Sequence, residues 1–218
     1  MTQATFWDFF NTEVAPHLGS RESSFRKTFE YLDQMPDPIV IIETGCIREA
    51  GSWSDGQSSI LFDRYLQFRG NEKGMLLTVD INPEATKLCR SLLSKMARVH
   101  TGDSVAALYS LRSQLQPGSV SLAYLDSFDY WPNNPWPPAG HHLKELVALG
   151  PLISQKTLVV LDDSPIQIRE LEDEQGNKLG KQKRVIGGKG FLVAEYAEAI
   201  GAQCLFYGYQ AGFTGLTI

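Results

Sequence analysis

The sequence contains little cysteine, no long apolar run and no excess of positive charge. Its three cysteines, Cys46, Cys89 and Cys204, are odd in number and far apart, which argues against a disulfide framework and against a Cys-x-x-Cys metal site. No segment approaches the roughly twenty apolar residues that cross a bilayer, and no basic or signal-like stretch opens the chain. These absences predict a cytoplasmic protein without a membrane partner.

The charge balance argues against a nucleic-acid partner. The formal net charge is −5, with 20 Lys and Arg against 25 Asp and Glu, so no general attraction to phosphate backbones is expected. The densest basic stretch, residues 178–184, follows the acidic stretch 170–174 and is typical of a solvated hairpin. Hydrophobic residues make up 43% of the 218 residues, which is enough to bury the core of one domain.

The most informative pattern is a pair of predicted strands that each end at an acidic residue. Residues 39–42 are apolar and lead into Glu43 and Gly45, which indicates a buried parallel strand that opens into a tight turn. About thirty residues later, residues 76–79 lead into Asp80, whose carboxylate is placed to accept hydrogen bonds from a ribose diol. This order is typical of the nucleoside-binding half of an α/β fold.

The glycine spacing distinguishes between two nucleoside-containing cofactors. A dinucleotide site needs Gly-x-Gly-x-x-Gly, whereas Gly45, Gly51 and Gly56 are too widely spaced for that turn. Glu43 is also a poor neighbour for a diphosphate but a good one for a cation such as S-adenosylmethionine (SAM). The segment therefore resembles the first motif of class I SAM-dependent methyltransferases, an acidic residue followed by a glycine-bearing loop. A nicotinamide oxidoreductase is the disfavoured alternative.

This resemblance extends from about residue 36 to the C-terminus. It implies an α/β, Rossmann-like methyltransferase fold with three α/β/α layers and a seven-stranded, mostly parallel sheet, closed by a C-terminal antiparallel hairpin at about residues 203–218. Residues 1–35 form a predicted N-terminal helical extension, and residues 36–218 the SAM-binding methyltransferase domain. The aromatic residues of the extension predict two helices packed on the sheet edge. The alternative is a lid or a dimer face, so a homodimer is possible.

The family motifs assign a set of cofactor-binding residues. The resemblance implies that Asp80 binds the ribose hydroxyls and that Asp103 lies near the adenine. The full predicted set for SAM is Glu43, Gly45, Gly56, Ser58, Asp80, Ile81, Gly102, Asp103, Ser104 and Asp126.

Three carboxylates are predicted at the carboxyl ends of neighbouring strands: Asp126, Asp162 and Asp163. Like charges in one place raise each other's pKa unless a cation lies among them, and oxygen ligands favour Mg²⁺. The pattern resembles the metal-dependent O-methyltransferases of the macrocin and catechol types, which implies a magnesium site and a small-molecule hydroxyl as acceptor. The proline- and aromatic-rich stretch 131–138 departs from that family. The alternative is that each aspartate caps a loop or touches the cofactor.

A general base is expected near the same sheet edge. Asp129, three residues after Asp126, and His142 are the predicted proton acceptors, with His141 as the alternative to His142. The predicted catalytic residues are therefore Asp126, Asp129 and His142. Four aromatic side chains form either a wall for a planar or sugar substrate or separate loop anchors. They are Trp53, Tyr130, Trp131 and Trp136.

The sequence thus predicts a SAM-dependent methyltransferase that acts on a small-molecule hydroxyl, with possible help from Mg²⁺. Two other functions are compatible with the same fold, because function depends on the site. One is a metal-independent methyltransferase of nitrogen or carbon acceptors, and the other is a SAM-binding protein without turnover.

Overall fold

The computed structural model describes residues 5–53, 57–70, 74–173 and 175–218. In chain order its strands are β1 (Val40–Thr44), β2 (Met75–Asp80), β3 (Ala97–Thr101), β4 (Leu122–Leu125), β5 (Leu158–Leu161), β6 (Ile166–Glu172), β7 (Lys178–Ile186), β8 (Gln203–Phe206) and β9 (Ala211–Thr214). The α-helices are α1 (Phe6–Phe9), α2 (Glu22–Asp33), α3 (Ser58–Arg69), α4 (Pro83–Leu92), α5 (Ser104–Leu111), α6 (Trp136–Leu149) and α7 (Phe191–Ile200).

The main sheet has seven strands in the order β3-β2-β1-β4-β5-β9-β8. Strands β1 to β5 are parallel, whereas β9 runs antiparallel to both β5 and β8. The predicted fold class and the predicted C-terminal hairpin are therefore confirmed. In the register, Thr44 pairs with Val79 on one side and with Leu125 on the other, so β1, β2 and β4 end at the same level. Their following loops meet at one edge.

Successive residues of β1 face opposite layers of the molecule. Ile39 and Ile41 lie in the core formed with α2, α3 and the N-terminal segment, whereas Val40 and Ile42 lie in the core formed with α5, α6 and α7. Because the strand is buried on both faces, its sequence is a continuous apolar run rather than an alternating one.

The N-terminal segment packs on a face of the sheet. Between α1 and α2 it follows a π-helical turn and two 3₁₀ turns. The Phe6 ring lies 4.6 Å from Phe29 and 5.0 Å from Tyr65 of α3, between ring centroids. The predicted helices are present, but they cover the sheet face together with α3 instead of its edge. The domain boundary near residue 36 stays a prediction.

Two helices at the ligand-binding edge begin at side-chain caps. Asn82 Oδ1 accepts a hydrogen bond from the Glu84 N–H at 2.9 Å and starts α4. Asp103 Oδ1 accepts one from the Ala106 N–H at 2.9 Å and starts α5. Such caps satisfy backbone donors that a helix leaves free and fix the loops after β2 and β3.

Strands β6 and β7 form a separate two-stranded hairpin between β5 and α7, as the acidic stretch 170–174 and the basic stretch 178–184 predict. Ile166 pairs with Ile186 at the base of the hairpin. Within the described residues, no helix has both the length and the apolar character that crossing a membrane requires.

Candidate functional site

The loops after β1, β2, β3 and β4 enclose a cavity of about 470 Å³. It lies where the strand order reverses between β1 and β4, the usual ligand position in open α/β sheets. Its lining residues are Gly45, Arg48, Val79, Asp80, Ile81, Asn82, Asp103, Ser104, Ser127, Phe128, Asp129 and His141. We refer to it as the switch-point pocket.

Asp80 is fixed at the floor of the switch-point pocket by two backbone donors. The N–H of Cys46 donates to Oδ2 at 3.0 Å, and the N–H of Asn82 donates to Oδ1 at 2.7 Å. Each carboxylate oxygen keeps a further lone pair for a ligand. The arrangement is suited to a diol, because two oxygens at fixed positions can accept from two adjacent hydroxyls.

Gly45 allows the loops after β1 and β4 to touch. Its φ is +79°, a left-handed conformation that favours glycine, and its N–H donates to the Val79 carbonyl at 2.8 Å. A Cβ at this position would lie 2.6 Å from the carbonyl oxygen of Asp126. The glycine therefore sets both the turn and the distance between two walls of the pocket.

The structure separates the predicted cofactor residues into two groups. Those that line the pocket are Gly45, Asp80, Ile81, Asp103 and Ser104. Those that do not are Glu43, Ser58, Gly102 and Asp126, and Gly56 lies outside the described residues.

Glu43 points into the protein instead of the pocket. It is fully buried, and Ser59 Oγ donates to Oε2 at 2.6 Å. Among the described residues, no side chain or backbone group forms a hydrogen bond with Oε1. Burial raises the pKa of Glu43 to about 7, although the hydrogen bonds from Ser58 and Ser59 lower it.

A buried carboxylate that the sequence analysis missed connects three walls of the pocket. Glu145 of α6 accepts hydrogen bonds from Ser104 at 2.5 Å, Ser127 at 2.6 Å and Thr44 at 3.2 Å. Burial would raise its pKa, but hydrogen bonds and the neighbouring histidines outweigh burial and lower it. In the sequence, only its spacing could have indicated this role: Glu145 lies three residues after His142 and four after His141 on the same helix.

The three candidate bases are not equally accessible. His142 is fully buried, its Nε2 lies 2.9 Å from the Ser127 carbonyl oxygen, and burial lowers its pKa to about 4. His142 does not line the pocket, and its role as a base stays a prediction. His141 lines the pocket, with Nε2 2.9 Å from Ser104 Oγ. Asp129 also lines it, 65% exposed and paired with Arg48 at 3.0 Å.

The predicted metal ligands do meet at one edge, but they surround cations that belong to the chain. Lys189 Nζ donates to Asp126 Oδ1 at 2.8 Å and lies 3.1 Å from Asp163 Oδ2. It also lies 3.3 Å from the Asp126 carbonyl oxygen. Burial would lower the pKa of Lys189, but the two aspartates raise it above its usual value, so the side chain is an ammonium.

Asp162 has a different partner, Arg21 from the N-terminal segment. Arg21 Nε lies 3.1 Å from both carboxylate oxygens, and Tyr124 OH donates to Oδ2 at 2.7 Å. The Asp163 N–H donates to Oδ1 at 2.8 Å. The Arg21 guanidinium also stacks over the Tyr209 ring, 4.4 Å from its centroid. Asp162 thus has a complete set of partners.

The backbone around Lys189 explains how a lysine enters this cluster. Gly188 has a φ of +57°, and a Cβ there would overlap the Asp163 carbonyl oxygen, so the two loops are in close contact. The Lys189 N–H donates to that carbonyl at 3.0 Å. A Cβ at Gly190 would overlap the side-chain hydroxyl of Ser164. Because Gly188 and Gly190 have no side chains, the loop lies directly against the end of β5. The lysine between them therefore points inward.

These contacts bear directly on the predicted metal site at Asp126, Asp162 and Asp163, which stays a prediction. The space between Asp126 and Asp163 is taken by an ammonium, and Asp162 is bonded to a guanidinium. Over the described ranges, no group of three or more His, Cys, Asp or Glu side chains is arranged to hold a metal ion. The residues do not fit Mg²⁺ in this arrangement.

The predicted aromatic residues do not form one wall. Trp53 stacks on His17 at 5.3 Å, Trp131 contacts Phe128 at 5.8 Å, and Trp136 contacts Phe191 at 5.3 Å, between ring centroids. A second cavity of about 330 Å³ lies beside the Lys189 loop. It is lined by Pro135, Trp136, Gln167, Arg169, Gly188 and Phe191.

The strand order and the antiparallel hairpin define the fold of class I SAM-dependent methyltransferases. No protein-family model matches this sequence, and no curated protein matches it. Among solved structures it is similar to MycE, a methyltransferase of the mycinamycin biosynthetic pathway in complex with Mg, SAH and mycinamycin VI. The TM-score is 0.58 at 15% identity, over 98% of this chain and 55% of MycE.

A second similar structure is CalS11, the calicheamicin methyltransferase, with a TM-score of 0.52 at 14% identity, over 94% of this chain and 81% of that one. This chain spans about half the length of MycE. At these identities the comparisons establish the fold.

Proposed function

We propose that this protein is a SAM-dependent methyltransferase that methylates a hydroxyl group of a small molecule. The observation that carries the proposal is the switch-point pocket, in which Asp80 presents a fixed carboxylate to a ligand diol. The turn at Gly45 lacks the glycine pattern of a dinucleotide site, which favours a cofactor without a diphosphate. MycE and CalS11, which share the fold, are methyltransferases.

The reaction requires three atoms in line. The acceptor oxygen forms a bond to the methyl carbon, the carbon–sulfur bond breaks, and its electron pair stays on sulfur. The acceptor proton passes to a base. Asp129 is the best-placed base, because it lines the pocket and is 65% exposed, so a substrate can reach it. Asp126 lies on the same loop and is held by Lys189.

The second cavity supports a small organic acceptor. Trp136 and Phe191 offer aromatic surface, and Gln167 and Arg169 offer donors that fix a polar substrate. Trp136 is 60% exposed, and its ring and that of Phe191 meet at an interplanar angle of 81°. This composition suits a sugar or a planar ring.

Mg²⁺ assistance is the second candidate, favoured by the Mg in the MycE complex. It would require Lys189 and Arg21 to release their carboxylates.

A nitrogen or carbon acceptor, or binding without turnover, would use the same switch-point pocket.

Isothermal titration with SAM, SAH and NAD tests the cofactor, and mass spectrometry of a panel of small alcohols, phenols and sugars tests turnover. We expect SAM and SAH to bind, NAD to bind negligibly, and one class of hydroxyl compound to gain a methyl group. Tighter binding of NAD would overturn the proposal. Binding of SAM with methylation of amines alone would favour the nitrogen acceptor.

A further inference from the structure

Lys189 is one of the most buried charged side chains in the described structure. Its side chain is 2% exposed, and its ammonium has three N–H donors. Three oxygens lie within reach of these donors: Asp126 Oδ1, Asp163 Oδ2 and the Asp126 carbonyl. A buried charge is stable only when it is paired and hydrogen-bonded, and here each donor has an acceptor.

The acidic edge is neutralised from two distant parts of the chain. Lys189 lies between Asp126 and Asp163, while Arg21 faces Asp162 and lies 3.5 Å from Asp163. With all three aspartates ionised, three carboxylates and two cations leave one formal negative charge; burial raises the pKa of Asp126 to about 8, although the charge of Lys189 lowers it. Without the two cations, the carboxylates would repel one another in a buried site.

We propose that Lys189 replaces the divalent cation at this edge: its ammonium organises Asp126 and Asp163 so that the site holds no metal ion. Lys189 is a positioning residue, because its donors are used by the chain and not by the acceptor. The exclusion of a metal ion from this site follows from this geometry alone. The corollary, methyl transfer that needs no divalent ion, rests on the function proposed above.

Distances show that the ammonium and a metal cannot share the position. Mg²⁺ binds oxygen at about 2.0–2.1 Å and Ca²⁺ at about 2.3–2.6 Å. The oxygens around Nζ lie at 2.8 to 3.3 Å, the spacing of N–H···O hydrogen bonds. The oxygens would have to close by roughly 0.7 Å or more for Mg²⁺ and by roughly 0.2 Å or more for Ca²⁺, and the lysine would have to leave.

The test is a titration with Mn²⁺ followed by electron paramagnetic resonance, for three proteins. They are the natural chain, Lys189→Ala and the control Lys183→Ala. Lys183 is also paired with a carboxylate, Glu198 at 2.6 Å, but it lies exposed on β7. We expect no Mn²⁺ site in the natural chain or in the control. Lys189→Ala frees Asp126 and Asp163 and should bind Mn²⁺ at least about tenfold more tightly.

Two results would overturn the inference. One is a natural chain that binds Mn²⁺ as tightly as Lys189→Ala, and the other is a folded Lys189→Ala with no gain. A measurement on the natural chain covers the case in which the variant does not fold. The natural chain should bind SAH with equal affinity in EDTA and in millimolar Mg²⁺. A tenfold higher affinity for SAH with Mg²⁺ would contradict the inference that Lys189 replaces the divalent cation. Absence of SAH binding in both buffers would instead count against the proposed function and leave the Mn²⁺ result intact.

Discussion

Arg21 Nε lies 3.1 Å from both carboxylate oxygens of Asp162, although 141 positions separate the two residues. Asp162 is fully buried, and the Arg21 side chain is 17% exposed. The N-terminal segment therefore supplies a charge to the candidate active site as well as apolar surface to the core.

Removal of this guanidinium should destabilise the fold. Arg21→Ala leaves the Asp162 carboxylate buried without its cation, a change that typically costs about 3–5 kcal/mol. Chemical denaturation measures the free energy of unfolding. Lys183→Ala is the control, because Lys183 pairs with Glu198 on an exposed surface and its loss should cost about 1 kcal/mol or less. Equal losses for the two variants would show that Arg21 does not stabilise Asp162.

Gly45 and Gly51 offer a paired test of close packing in the pocket. Their φ angles are +79° and +78°, so alanine is strained to the same extent at both. Only at Gly45 would the new Cβ collide, 2.6 Å from the Asp126 carbonyl oxygen. We expect Gly45→Ala to lose roughly 1–3 kcal/mol more stability than Gly51→Ala, and to lose SAM binding. Thermal unfolding and titration calorimetry measure the two effects. Equal losses of stability for Gly45→Ala and Gly51→Ala would mean that the loops after β1 and β4 can move apart without destabilising the protein.

Asp80 should contribute directly to cofactor affinity. Loss of a charge-assisted contact to two ribose hydroxyls predicts that Asp80→Ala weakens SAH binding by roughly 1.5–3 kcal/mol, about 10- to 150-fold. Glu84→Ala is the control, since this exposed carboxylate begins α4 close by and does not line the pocket. Titration of both variants separates a contact with the ligand from a general effect of negative charge. An unchanged Kd for Asp80→Ala would exclude the ribose contact.

Glu43 predicts a pH dependence of stability with a definite sign. Its pKa is about 7 in the folded protein against an ordinary value of 4.5. Between these values the folded state keeps a proton that the unfolded state releases, so stability falls as pH rises, by about 1.4 kcal/mol per unit. The contribution is complete below pH 4.5 and is lost above about pH 7.

Glu43→Gln removes this titration while an amide oxygen still accepts from Ser59. From pH 5 to pH 8, the free energy of unfolding of the variant should therefore rise relative to that of the natural chain. Urea denaturation at one-unit intervals measures it. A difference that stays constant with pH would place the Glu43 pKa at its ordinary value.

The fold follows from local patterns that the sequence displays directly. Buried parallel strands appear as apolar runs such as residues 39–42, and the closing strands of the C-terminus are separated by only a short turn. Both signals depend on neighbours along the chain. The register that brings Thr44, Val79 and Leu125 to one level then follows from strand pairing.

The site was less predictable because its decisive pairs are distant in sequence. Asp126 and Lys189 are 63 residues apart, and no local pattern indicates that a lysine between Gly188 and Gly190 turns inward. The sequence therefore indicates the carboxylates at this edge but not the lysine that pairs with two of them. For a similar reason the sequence does not reveal which of two adjacent histidines on α6 faces the pocket, and in the structure it is His141.

Strands β6 and β7 pair only with each other in the part of the chain that the structure describes, so each presents an open edge of backbone donors and acceptors. Open edges of this kind recruit strands from other molecules and seed aggregates. The exposed β7 carries Lys178, Lys181 and Lys183, and a register shift between Glu170 and Glu172 interrupts the regular ladder of β6. Lysines on an open edge strand disfavour its pairing with a strand of another copy.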